Sequence, residues 1–148
     1  MTSQENLEIV RSTPVSQENA EVVRSCMEAW NRGDFDAFHA AFHPEAEFHS
    51  SIRSRPGGSE LTWRGMPTMR RHWGQWHTLW DLRVELADVR DLGGTVIALG
   101  TIKRRRRESE IVAESPVAYV LEFEGGRARK IWAYLGHDEA LSAVGLDE

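Results

Sequence analysis

Near residue 81 the apolar side chains stop recurring every third or fourth residue and begin recurring every second. Upstream, Val23, Cys26, Met27 and Trp30 follow the i, i+3, i+4, i+7 spacing of one helix face, and Met66, Met69, Trp73, Trp76 and Trp80 form a second stripe. Downstream, Leu82, Val84, Leu86 and then Val89 alternate with polar residues, the pattern of a half-buried strand. The two periods cannot be exchanged, because successive side chains turn about 100° in a helix and 180° in a strand. Helices therefore come first and consecutive strands follow. That order requires an α+β fold with a mostly antiparallel sheet, since a parallel sheet needs a crossover between each pair of strands.

Local signals divide the chain further. Ser16 is an expected N-cap with Glu18 in the first turn, and Asn31-Arg32-Gly33-Asp34 ends that helix, with Gly33 suited to a left-handed cap. Asp34 then caps a short second helix bearing Phe35, Phe38, Ala41 and Phe42, which Pro44 ends. Ala46 to Ile52 reads as a strand, Arg53 to Glu60 as a loop around Pro56-Gly57-Gly58, and Pro67 opens a third helix. Asp91-Leu92-Gly93-Gly94 and Gly125-Gly126 are turns. Between and around them lie strands from Thr95 to Lys103, Glu110 to Glu124 and Arg127 to Leu135, with a hairpin tip from Arg104 to Ser109. Asp138 to Val144 is a short closing helix.

The stretch Ser3 to Ser12 nearly repeats as Ser16 to Ser25, a period of 13 with two copies only, too few for a solenoid. Residues 1–15 are read as an extension that copies the start of the first helix, and residues 16–146 as the domain. The 148 residues suffice for one domain with a sizeable core. A net charge of -5 disfavours nucleic acid and anionic membranes as partners. No apolar stretch approaches the roughly 20 residues that span a bilayer. The N-terminus is polar and lacks an apolar signal core, so export is not expected. Cys26 is the only cysteine, so no intrachain disulfide forms, in keeping with a cytoplasmic location.

Several segments carry a resemblance: Glu28-Ala29-Trp30-Asn31-Arg32-Gly33-Asp34, His43-Pro44-Glu45-Ala46-Glu47, Trp63-Arg64-Gly65, Glu114-Ser115-Pro116-Val117-Ala118-Tyr119, and Ala140 to Leu146. With the order of elements, they resemble the SnoaL-like families of the nuclear transport factor 2 superfamily over roughly residues 16 to 146. The resemblance implies a cone-shaped domain, in which three N-terminal helices pack on a strongly curved, mixed and mostly antiparallel sheet around an interior apolar pocket. It also implies a homodimer through the outer sheet face. Members include polyketide cyclases, ketosteroid isomerases and epoxide hydrolases, and a shared fold does not transfer a reaction.

The isomerases of that superfamily use an Asp base on the first strand, a Tyr donor on the first helix and an Asp donor on a late strand. The matching positions here are Ser50, Cys26 and Tyr119. A serine hydroxyl cannot take a carbon-bound proton without its own base, so steroid-isomerase chemistry is not expected. Tyr119 remains as a hydrogen-bond donor, weighed against a satisfied core tyrosine. His49 titrates near neutrality and can serve acid–base chemistry. Strand alternation, however, turns it away from the face of Phe48 and Ser50. Glu114 lies opposite Tyr119 by strict alternation, unless Pro116 marks a bulge that shifts the parity. The resemblance puts Ile131, Ala133 and Leu135 on the pocket side of the last strand, leaving Trp132 and Tyr134 outward. Cys26, Trp30, Phe42, Trp63 and Trp73 complete the expected walls, where core and pocket lining overlap.

Other constellations are weaker. His39 and His43 have zinc-like spacing on a helix, but no Glu lies between them in the metalloprotease arrangement, so no metal site is expected. Lys103 to Arg107 is a basic run followed at once by Glu108 and Glu110, the pattern of a solvated hairpin tip. Cys26 sits on an apolar helix face and reads as a small core residue. No phosphate-binding glycine motif or dinucleotide fingerprint occurs, and no cofactor is expected. Two functions stay open. One is a cofactor-independent cyclase, isomerase or hydrolase acting on a small hydrophobic molecule through Tyr119, Ser50 and either Glu114 or His49. The other is a module that binds a small molecule, or dimerises, without catalysis.

Overall fold

A computed structural model describes residues 14–50 and 61–146. The first copy of the N-terminal repeat and the loop around Pro56-Gly57-Gly58 lie outside the described residues. Helix α1 (Pro14–Asn31) buries Ala20, Val23, Cys26 and Trp30 along the stripe read from the sequence. It starts at Pro14 rather than behind a Ser16 cap, since proline is well placed in a first turn. At its far end Gly33 takes φ +82°, and the Asp34 amide donates to Ala29 O at 2.9 Å. That closure is a left-handed cap, and Asp34 then accepts from the Ala37 amide to start α2 (Phe35–Ala40).

Helix α2 is shorter than its apolar residues suggested. Phe42 and Pro44 already belong to β1 (Phe42–Ser50). Proline cannot donate within a sheet, and the irregular register between Phe42 and Glu47 accommodates it. Strand β2 (Leu61–Arg64) pairs antiparallel with β1 and leads through Gly65, at φ +83°, into α3 (Met66–Leu79). Trp80, which continued the α3 stripe in the sequence, is the first residue of β3 (Trp80–Asp91). Strands β4 (Thr95–Arg106), β5 (Ala113–Glu124) and β6 (Arg127–Tyr134) follow as a meander, and α4 (His137–Ala143) closes the order. β4 runs past Lys103 to Arg106, so part of the basic run expected at a hairpin tip is strand.

The fold is α+β: four helices among the described residues, and six strands in the order β2–β1–β6–β5–β4–β3. Only β1 and β6 run parallel, so the sheet is mixed and mostly antiparallel, and it does not close. Curvature comes from broken register. β3 and β4 shift between Leu86 and Asp88, where Gly100 faces Leu86. A Cβ on Gly100 would lie 2.2 Å from the Glu85 carbonyl oxygen, so only glycine lets the strands approach this closely. The concave face and helices α1–α3 enclose the main core. On the convex face α4 lays Ala140 and Leu141 over Ile97, Ala118, Val120 and the outward Trp132 and Tyr134.

Helix α1 is fastened to the edge strand β3 by side chains. The Asn31 amide donates to Val84 O at 2.6 Å and accepts from Val84 N at 2.9 Å. The Trp30 indole donates to Leu82 O at 3.2 Å. Asn31 thus acts as a short stretch of partner strand for an edge that would otherwise present unpaired backbone groups.

Candidate functional site

Within the concave face lies a cavity of about 160 Å³. Its walls are carbon and aromatic rings. Trp30 and Trp73 each meet Phe38 at a 4.8 Å centroid distance, and Phe48 stacks on Trp63 at 5.3 Å. Trp76, among the exposed large apolar side chains, stands where the cavity opens to solvent.

Ten of the residues singled out in the sequence face this space: Tyr119 and Ser50; Cys26, Trp30, Phe42, Trp63 and Trp73; and Ile131, Ala133 and Leu135. His49 and Glu114 do not. His49 lies on the convex face, stacked on Trp132 at 5.3 Å, with its ring nitrogens 3.2 Å from Thr62 Oγ1 and 3.3 Å from Glu47 Oε1. Glu114 is exposed and sits opposite Lys103. The β4–β5 ladder runs without a register shift through Thr101↔Pro116, so Pro116 introduces no bulge and Glu114 stays on the face away from Tyr119. His39 and His43 stand on different elements, α2 and β1, and among the described residues no three His, Cys, Asp or Glu side chains gather as a metal site.

The polar groups that do face the cavity are few. Ser50 is buried, 5% exposed. Tyr119 keeps some accessible surface because it borders the cavity, and its hydroxyl hydrogen-bonds to no described residue. Burial pushes its phenol well above the usual range, and the neighbouring Cys26 adds to the rise, so Tyr119 is a neutral donor at physiological pH. Burial likewise raises the Cys26 thiol, which donates weakly to Phe38 O at 3.8 Å and is no nucleophile.

Arg104 also lines the cavity, a role its place in a basic run concealed. The signal was available: the inward positions of β4 are Val96, Ala98, Gly100 and Ile102, and the same alternation reaches Arg104. Its Nη2 donates to Ser115 Oγ at 3.3 Å, while its Nε is buried without a partner. Neighbouring cations are paired: Lys103 with Glu85, Arg105 with Asp81 and Arg106 with Glu108. Arg104 forms no ion pair with a described residue.

Three histidines lie against the wall aromatics: His39 stacks on Trp73 at 5.4 Å, while His77 meets Trp30 at 4.1 Å and His72 meets Trp63 at 4.4 Å in tilted arrangements. All three have pKa values below the usual histidine range. Burial is the main cause, reinforced by Arg70 at His39, Arg71 at His72 and Arg107 at His77. They act as flat neutral rings behind the wall.

Helices over an open, curved sheet with one apolar cavity define an α+β pocket protein. Residues 23–131 match the SnoaL-like domain, so the chain belongs to the SnoaL-like family. Solved structures agree on the fold. An NTF2-like protein of unknown function from Burkholderia pseudomallei aligns at TM-score 0.71 with 22% identity, over 86% of this chain and 98% of its own. A putative polyketide cyclase from Xanthomonas campestris aligns at 0.67 with 16% identity, over 88% and 99%. An LEH-like epoxide hydrolase from Mycobacterium tuberculosis aligns at 0.67 with 19% identity, over 83% and 86%. No curated protein sequence matches significantly.

Proposed function

We propose that this chain is a binding protein for a small, mostly apolar, ring-containing molecule held in the concave cavity. One observation carries the reading: among the described residues lining the cavity there is no carboxylate and no imidazole, while aromatic and aliphatic walls surround only a few donors. Such a site favours an apolar body by desolvation and fixes its orientation with a small number of hydrogen bonds. The described lining offers no carboxylate or imidazole to serve as the proton acceptor in cyclisation, isomerisation or hydrolysis. The test is calorimetric titration with 2-naphthamide, a neutral two-ring probe. Binding is expected, and Ala133→Phe, which fills the cavity from β6, should abolish it while near-ultraviolet circular dichroism shows a retained fold. Equal binding by the folded filled variant would refute the reading.

A second reading is favoured by Tyr119. A neutral phenol with no described partner, facing an apolar cavity, is suited to stabilise a developing enolate oxygen. It suits an enzyme of the kind that the name of the putative polyketide cyclase neighbour indicates. A metabolite recovered from the purified protein and then incubated with it separates the two. Return of the compound unchanged supports binding, and a chemically altered product supports catalysis.

A further inference from the structure

The described cavity lining contains one cation, and that cation forms no ion pair with a described residue. Arg104 enters from β4, and its Nη2 is held by Ser115 Oγ at 3.3 Å. Its Nε–H is buried and unbonded. Of the other four basic residues in the run, Lys103, Arg105 and Arg106 are each paired with a carboxylate, and Arg107 donates to the His77 carbonyl oxygen. An unpaired guanidinium beside carbon walls is costly, because desolvation is not offset by a partner. A planar fork with free N–H groups is also the preferred receptor for a planar carboxylate, which it can bind through two parallel hydrogen bonds.

We propose that Arg104 is a specificity-determining residue that selects ligands bearing a carboxylate, or a comparable delocalised oxyanion, at one end of an apolar ring system. The inference rests on the binding reading above and narrows it to a ligand class. Ser115 is a positioning residue: its hydroxyl accepts from Nη2 and holds the guanidinium against the cavity wall. Tyr119 stands four residues further along β5, about 13 Å of strand, and donates to the far part of the ligand. The ligand is thus polar at its ends and apolar between them. Aromatic carboxylates with a hydroxyl or carbonyl oxygen at the far end fit this description in full, 2-naphthoate carries the Arg104 end of it alone, and fully neutral hydrocarbons carry neither.

Two probes of one shape separate charge from packing: 2-naphthoate and its neutral twin 2-naphthamide. Calorimetric titration of the wild-type protein should show naphthoate binding at least tenfold more tightly, with the preference shrinking as salt is raised. Arg104→Gln keeps the side-chain length and a donor but removes the charge. It should lose tenfold or more in naphthoate affinity and distinctly less in naphthamide affinity, so that the preference for the anion collapses, with near-ultraviolet circular dichroism showing that the variant is folded. Arg104→Lys, with the charge but not the fork, should fall between them. If Arg104→Gln fails to fold, the wild-type preference and the Arg104→Lys variant decide the matter. Naphthamide binding with no naphthoate preference would overturn the role of Arg104 and leave the pocket reading standing. Failure of both probes to bind the wild-type protein would overturn the inference and the reading together.

Discussion

Tyr119 and Arg104 show how one residue's meaning depends on which face of its strand it occupies. Tyr119 borders the cavity with a phenol that burial keeps protonated. Tyr119→Phe removes a single hydrogen bond to a ligand with an oxygen at its far end, about 1 kcal/mol or roughly a fivefold weaker Kd by calorimetry, with little change in stability. Because the phenol titrates far above neutrality, it should impose no pH dependence on binding between pH 6 and 9. Tyr119 was singled out through the family resemblance, and its strand parity with Leu121 and Phe123 puts it on the cavity face. Arg104 was passed over because a run of five basic residues looks alike whichever way each points; its inward parity follows from carrying the Val96–Ile102 alternation one step further, and the extension of β4 to Arg106 makes that step strand. His49 and Glu114 are the reverse case. Their side-chain chemistry suggested a site, but strand alternation with no bulge at Pro116 keeps them on the opposite face.

Among the elements, the edge strand β3 depends on contacts made from outside the sheet. Asn31 supplies both a donor and an acceptor to Val84, so Asn31→Ala leaves two backbone groups without partners and should cost about 2 kcal/mol in urea denaturation. The β3–β4 bend is equally specific. Gly100→Ala forces a methyl against the Glu85 carbonyl and should cost about 3 kcal/mol, whereas Gly74→Ala, on the exposed face of α3 with nothing nearby, should stabilise by about 0.5–1 kcal/mol. Element types followed from periodicity and turn residues, since Gly33, Gly93-Gly94 and Gly125-Gly126 are unambiguous stops. The boundaries that moved did so for local reasons. Pro44 is accommodated inside an irregular stretch of β1 instead of ending a helix at Phe42, and Trp80 belongs to the strand because α3 ends at Leu79.

For the whole molecule, the three wall histidines couple stability to pH. His39, His72 and His77 have pKa values lowered from 6.5, mainly by burial. Their neutral forms are favoured in the folded state, so the unfolded chain binds more protons once pH falls below about 6.5. Stability is therefore full above that pH and declines as pH drops through the range below it. Around His39 the charges are opposed, with Arg70 and His77 lowering its pKa and Asp36 raising it, so burial sets the direction. The melting temperature should fall steadily from pH 7 to pH 5, and His39→Phe, which keeps a flat ring against Trp73, should flatten that slope.

These histidine rings, the glycine-permitted bend and the Asn31 fastening all hold open the same volume, and the account stands on that volume being a ligand site. The most direct measurement is a crystal structure of the protein saturated with 2-naphthoate. The account predicts the rings inside the cone among Trp30, Leu121 and Ile131, with the carboxylate on Arg104. Rings bound only to the convex face near Trp132, or a cavity without ligand at saturation, would contradict it.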